Sequence, residues 1–205
     1  PIRMISGHMG REEEIALARI WEGADIYDWY GVGDTGAIAG QGPDKSGLYI
    51  MEDAQYLEIC DIDTGRPVED GTAGDMVNTC LFKDDIYPII RFNTHDVSAI
   101  CTDASPSALQ LRRMQGFLGR SDNMVKLRGI NVFPQGIGAM LVDQPEFIGE
   151  YICNVYRDQN GRDEMSVTVE VSKSSPDLKD TFKQVLRDKI CLLYTSPSPR
   201  DATLS

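Results

Sequence analysis

Six side chains in this sequence have types and spacing suited to chemistry: Tyr30, Asp34, Asp96, Arg120, Asp122 and Lys126. Three of them share one run, GFLGRSDNMVKLRGINVFP, from Gly116 to Pro134. Arg120 offers a planar fork of donors and Lys126 a point charge, and both suit phosphate oxygens. Asp122 stands between them, where a β-rich sequence gives way to a different pattern, bracketed by Gly119 and Gly129. A polar, glycine-flanked crossing between two compact units is a position for a hinge. A solvated interdomain linker is the plainer reading of the same run.

Two earlier stretches add acids. In DWYGVGDTGAIAG, Asp28 to Gly40, Tyr30 is placed to stack on a planar base and Asp34 to hold a hard cation. Mg2+ takes oxygen ligands and is often held by only one or two protein carboxylates plus phosphates. Glycines 31, 33 and 36 permit close backbone approach to a nucleotide. The stretch also fits an ordinary glycine-rich turn with a core tyrosine. In PIIRFNTHDVSAI, Asp96 follows an apolar strand, where a carboxylate can accept hydrogen bonds from ribose hydroxyls. His95 reads as a base or as a surface or orienting residue.

These residues need elements to place them. GREEEIALARIWEGADI reads as a helix whose acidic first turn suits the helix dipole, with Ile15, Ala18 and Trp21 on one buried side and Gly23 as its stop. ADIYDWYG, GLYIMED, AQYLEICDID, DMVNTCLF and YPIIRFNTHDVSAI read as strands, with turn chemistry in DTGRP. Gly47 to Thr102 is therefore expected to form a small barrel or antiparallel sheet. Beyond Asp122, MVKLRGINVF predicts a strand or hairpin and PQGIGAMLVDQ a helix opened by Pro134. YICNVY and EMSVTVEV flank an Asn-Gly turn signal. The clearest helix is SPDLKDTFKQVLRDKI, capped by Ser175, with Pro176 at its first position and Leu178, Phe182, Val185 and Leu186 as its apolar stripe.

A net charge of −12 over 205 residues argues against binding a nucleic-acid backbone, which takes clustered cations. No apolar run is long enough to span a bilayer. Cys60, Cys80, Cys101 and Cys153 lack CxxC spacing and read as buried reduced thiols, which points to a cytoplasmic setting. The run from Cys191 to Asp201 reads as the antisense translation of a transposase sequencing adapter, so the natural frame is expected to end near Ile190. Pro1 to Gly10 carries no secretory pattern.

Taken in order, three stretches resemble the phenylacetate–CoA ligase family of the adenylate-forming superfamily. DWYGVGD is similar to that family's Tyr-Gly-x-Ser-Glu segment. The run from GLYIMEDAQYLEICDID to PIIRFNTHD is similar to its Gly-Leu-His-Ile-x-Glu-Asp through Arg-Tyr-Arg-Thr-Arg-Asp stretch, and GRSDNMVKLRGINVFP to its hinge motif. The resemblance runs from Gly23 to about Val171. It implies a fold that is α/β plus β and α+β. Residues 1–121 are the end of a large AMP-binding domain, with an α/β segment at 1–46 and a β-rich subdomain at 47–118. Residues 122–190 are expected to form a partial small C-terminal domain, and 191–205 are expected to be a non-native tail.

The resemblance also implies roles. Tyr30 stacks on adenine beside Gly31, Asp34 takes the Mg2+ role usually held by Glu, and Asp96 binds the ribose hydroxyls. Arg120 contacts the ribose or phosphate side, and Asp122 is the pivot. Lys126 stands where some superfamily members, though not typical phenylacetate ligases, place a lysine that assists the second half-reaction. The implied cofactors are ATP, Mg2+ and coenzyme A, and the implied substrate is a small, aromatic carboxylic acid, with a homodimer expected by analogy. Gly33 and Asp34 depart from the family's Ser/Thr-Glu pair. Tyr49 replaces a common His, so a metal site there is not expected. The family's Ser/Thr/Gly-rich phosphate loop and distal lysine are not in the sequence, so this chain alone is expected not to turn over. Loading of a carrier protein, a degenerate nucleotide-binding module and a ligand-free β-rich protein remain as alternatives.

Overall fold

The computed structural model describes residues 2–127, 130–159, 161, 163–173 and 177–194. The expected cap Ser175, with Pro176, Gly129, Asn160 of the Asn-Gly turn and residues 195–205 of the tail, lies outside the described residues.

The first unit opens with β1 (Met4–Gly7), α1 (Arg11–Ile20) and β2 (Asp25–Val32), with β1 and β2 parallel. Gly10 N–H donates to Glu13 Oε2 at 2.6 Å, which satisfies one orphan donor at the start of α1. The side expected to be buried is only partly so. Ile15 and Leu17 are half-buried, but Ala18 is exposed and Trp21 is 43% exposed beyond the helix end. Gly23 follows with φ +81, the left-handed conformation that ends the turn.

β2 turns back as β3 (Gly36–Gln41), which pairs with β4 (Leu48–Ile50), which in turn pairs with β8 (Arg113–Met114). This makes a five-stranded sheet, β1-β2-β3-β4-β8. Gly36–Gln41 carries no strand signal in its residues, because Gly and Ala are depleted in strands. The sheet also runs across position 46/47, since Ala39 pairs with Ile50. A second, antiparallel sheet has the order β5-β6-β7-β9, built from Gln55–Cys60, Gly74–Cys80, Phe92–Ser98 and Gly119–Arg120. The antiparallel sheet expected between Gly47 and Thr102 is thus present, but β7 begins only at Phe92. Tyr30, Ile38, Ile50, Leu57, Ile59, Met76 and Met114, drawn from both sheets, share one buried core.

The second unit has its own core. The hairpin β10 (Val125–Leu127) and β11 (Ile130–Val132) is followed by a 3-10 turn, Pro134–Gly136, and the short α2 (Ile137–Leu141). The single longer helix expected from Pro134 is therefore a tight turn plus a five-residue helix, consistent with glycines in its first turns. β12 (Phe147–Arg157) and β13 (Asp163–Val171) pair antiparallel, and α3 (Leu178–Tyr194) packs on them. Phe182 of α3 is buried with Val132, Ile137 and Leu141, and Leu178, Val185 and Leu186 pack around that cluster. Fully burying one such side chain contributes about 1.5–3 kcal/mol. Among the described residues no helix is long and apolar enough to cross a membrane.

Candidate nucleotide site and hinge

A short crossing joins the two units. β9 ends at Arg120, a 3-10 turn spans Ser121–Asn123, and β10 opens the second unit. Gly119 is what lets the units approach here. Its φ is +148, and a Cβ placed on it would sit 2.5 Å from Phe133 Cβ. Phe133 is buried and follows β11, so a side chain at position 119 would push the second unit away.

A continuous chain of polar contacts runs from the first core to this crossing. Tyr30 is 2% exposed, and its hydroxyl donates to Asp96 Oδ2 at 2.7 Å. Burial pushes the Tyr30 phenol well above its ordinary range, so it remains a donor. The other oxygen of Asp96, Oδ1, accepts from Arg120 Nη1 at 2.9 Å. Arg120 then grips Asp122 with both edges of its fork, Nε to Oδ1 at 2.9 Å and Nη2 to Oδ2 at 2.6 Å. Such bidentate contacts fix geometry as well as adding energy. β9 pairs with β7 so that Asp96 faces Arg120 in register, which is how residues 24 positions apart become partners.

The Arg120 contact holds the Asp122 carboxyl below the usual carboxylate range, and His95 adds in the same direction. A carboxyl depressed in the folded protein contributes at every pH above its unfolded value and loses that contribution as pH falls through the folded value. The clasp is therefore expected to hold at neutral pH and to open only in acid, below the ordinary carboxylate midpoint. A 13C NMR titration of the Asp122 carboxyl checks this. Its midpoint should lie below that in an Arg120→Ala variant, and coincident midpoints would count against the clasp.

Tyr30, Asp96, Arg120 and Asp122 are thus brought together, and three other expected residues are not. Asp34 is exposed at the tip of the β2–β3 hairpin, where its carbonyl accepts Lys83 Nζ at 2.5 Å. Lys126 is exposed on β10. Among the described residues, no hydrogen bond or ion pair links either side chain to Asp96 or Arg120. Gly31 does make a close backbone approach, but to its own hairpin. A Cβ there would lie 2.3 Å from Gly36 O, beside the bulge between Tyr30 and Gly31. The Tyr30 ring, expected to stack on a base, lies in the core with no open face and sits edge-on to His8 at 6.0 Å.

Sequence reasoning missed Asp75, Asn93 and Ser121, which surround His95 beside this chain. The available signal was the polar alternation in FNTHD, which a regular strand would place on two faces. Among the described residues no three His, Cys, Asp or Glu cluster to hold a metal. The donor set suits magnesium only as an ion that arrives with phosphates, with Asp34 as an exposed carboxylate that could meet it.

Comparison with known proteins follows the same geometry. Residues 129–192 match the model for the AMP-binding enzyme C-terminal domain. The chain is 32% identical over 179 residues to a phenylacetate-coenzyme A ligase of Aromatoleum evansii, covering 82% of this chain and 39% of that protein. It thus spans about two fifths of that relative's length. A solved 2-hydroxyisobutyryl-CoA ligase in the postadenylation state, in complex with R3-HIB-AMP, superposes with TM-score 0.69 at 25% identity, covering 93% of this chain and 42% of that chain. The same ligase in the thioesterification state, with 2-HIB-AMP and CoA, superposes less well, with TM-score 0.52 at 26% identity, 93% of this chain and 41% of that chain.

Proposed function

We propose, because this chain belongs to the phenylacetate–CoA ligase family of adenylate-forming enzymes, that it supplies the nucleotide floor and the pivot of an AMP-forming acid–thiol ligase. The observation that carries this reading is the unbroken chain Tyr30–Asp96–Arg120–Asp122, which ties a buried core to a two-unit crossing.

The reaction has two halves. A carboxylate oxygen of the acid attacks the α-phosphorus of ATP, and pyrophosphate leaves with the displaced bond pair. The thiol sulfur of coenzyme A then attacks the acyl carbon, loses its proton, and AMP leaves. Most of the catalysis is positioning and charge stabilisation. Asp96 accepts from the ribose hydroxyls with the lone pairs that Tyr30 and Arg120 leave open, and Tyr30 fixes the carboxylate from below. Arg120 is half-exposed beside that carboxylate and faces the ribose or phosphate side. Asp122 is the residue about which the second unit turns, exchanging one set of groups for another over the same nucleotide. Lys126 travels with that unit. Asp34, exposed at the hairpin tip, would be the residue to share a magnesium ion with the phosphates, and the ion would supply positive charge to offset the leaving group. The weaker overlap with the thioesterification state supports reading the present arrangement as one other than that stage.

An aromatic acid is the proposed substrate class, supported by the name of the relative that the chain resembles. Use of ATP and coenzyme A, and the free thiols of Cys60, Cys80, Cys101 and Cys153, support a cytoplasmic setting. The test is on the full-length protein that bears this chain. With ATP, Mg2+ and phenylacetate or benzoate it should catalyse acid-dependent ATP–pyrophosphate exchange, and addition of coenzyme A should yield the thioester. Nucleotide binding without exchange, across a panel of aryl and alkyl acids, would overturn the ligase reading in favour of a binding module.

A further inference from the structure

The pairing of β6 with β7 is irregular at one place. Val77 pairs with Asn93 and Asp75 with Val97, so β7 spends extra residues between those two positions. Bulges of this kind re-aim side chains and occur beside functional sites. Inside the bulge His95 has φ +58, a left-handed value uncommon for a residue other than glycine. Strain like this persists only where surrounding contacts fix it.

The contacts that fix it point in two directions. On one side, Asn93 Oδ1 accepts His95 N–H at 2.8 Å, while Asn93 Nδ2 donates to Asp75 Oδ2 at 2.8 Å. His95 Nδ1 lies 3.9 Å from that same oxygen. Asp75 is 3% exposed, and its Oδ1 is buried with no hydrogen-bond partner. A buried carboxylate with an open oxygen is costly, and a neutral residue of the same shape would serve packing better. On the other side, the His95 carbonyl accepts from Ser121 Oγ at 3.3 Å, and His95 Nδ1 lies 3.5 Å from the same hydroxyl. Ser121 opens the hinge turn and is the neighbour of Arg120, while His95 is the neighbour of Asp96. Two consecutive residues of β7 therefore grip two consecutive residues of the crossing.

We propose that Asp75 and His95 are positioning residues that hold the Ser121–Asn123 hinge turn on the bulge of β7 and so set Arg120 against Asp96. This rests on the ligase reading only for its catalytic consequence. The second half-reaction, which follows rotation of the small unit, depends on this grip more than adenylation does. Neither residue needs to touch substrate.

Two variants test it. Asp75→Asn keeps the volume and removes the charge. His95→Asn keeps a polar side chain that tolerates positive φ but removes the ring. Hydrogen exchange of the chain, read at residues 121–127, should lose protection in both variants while β5 and β6 keep theirs. For Asp75→Asn, Tm should hold or rise, since a buried charge is gone. Unchanged exchange at the turn, or loss spread evenly over both sheets, would overturn the proposal. In the full-length protein, the ratio of thioester formation to pyrophosphate exchange should fall by about 2- to 30-fold, the range for residues that tune coupling between sites. An unchanged ratio would also overturn it. If the unmodified protein shows no exchange with any acid, the ligase reading fails, whereas the exchange of residues 121–127 still decides the positioning role.

Discussion

Replacing Asp96 with alanine should weaken binding of AMP or an acyl-adenylate to the full-length protein by about 10- to 150-fold. The figure follows from hydrogen bonds to a charged group, worth about 1.5–3 kcal/mol, at about 1.4 kcal/mol per tenfold. Two further losses accompany it. The Tyr30 hydroxyl loses Asp96 Oδ2, its charged acceptor at 2.7 Å, which leaves the Thr94 side chain beside it, and losing a hydrogen bond to a charged group costs about 1.5–3 kcal/mol. Arg120 keeps Asp122 but loses the contact that ties it to β7. The variant should therefore lose both affinity and Tm, and Tyr30→Phe combined with Asp96→Ala should recover part of the Tm without the affinity. Calorimetry with AMP and a thermal melt read the two effects separately. Full affinity in Asp96→Ala would remove this carboxylate from the site.

Gly119→Ala should be the most disruptive single change at the crossing. The new Cβ would meet Phe133 Cβ at 2.5 Å and Phe133 Cγ at 2.9 Å, in a backbone conformation that L side chains rarely adopt. Overpacking of a tight contact typically costs about 1–3 kcal/mol, and the unfavourable φ adds about 1–3 kcal/mol. Relief requires Phe133, and with it β11, to move away from β9. The expected result is a lowered Tm together with disproportionate exposure of the crossing to protease, because the displaced contact joins two cores that are otherwise separate. A variant as stable and as resistant as the parent would show that the units do not depend on this approach.

Much of this was legible in the residues themselves. The apolar alternation of AQYLEIC marks a strand because one face of it is more buried, and the stripe on Leu178, Phe182, Val185 and Leu186 marks α3 for the same reason. The position of the crossing also followed from sequence, since a change of hydrophobic period at a glycine-flanked polar run marks where one core ends and another starts. Asp96, Arg120 and Asp122 were identifiable by type and by motif resemblance.

What sequence could not settle was direction and partner. Whether Tyr30 faces a ligand or a core depends on which neighbours close over it, and Ile38, Ile50 and Met76 come from three different strands. The role of Gly31 turns on a backbone oxygen five residues away that approaches only once the hairpin is paired. The contact of His95, backed by Asp75, with Ser121 arises from a strand bulge, a departure from period two that no local propensity encodes. Composition and periodicity act through each residue's own neighbours along the chain, so they determined the elements and the crossing. The site is made of contacts between residues far apart in sequence, and only the packing of two sheets against one crossing decided those.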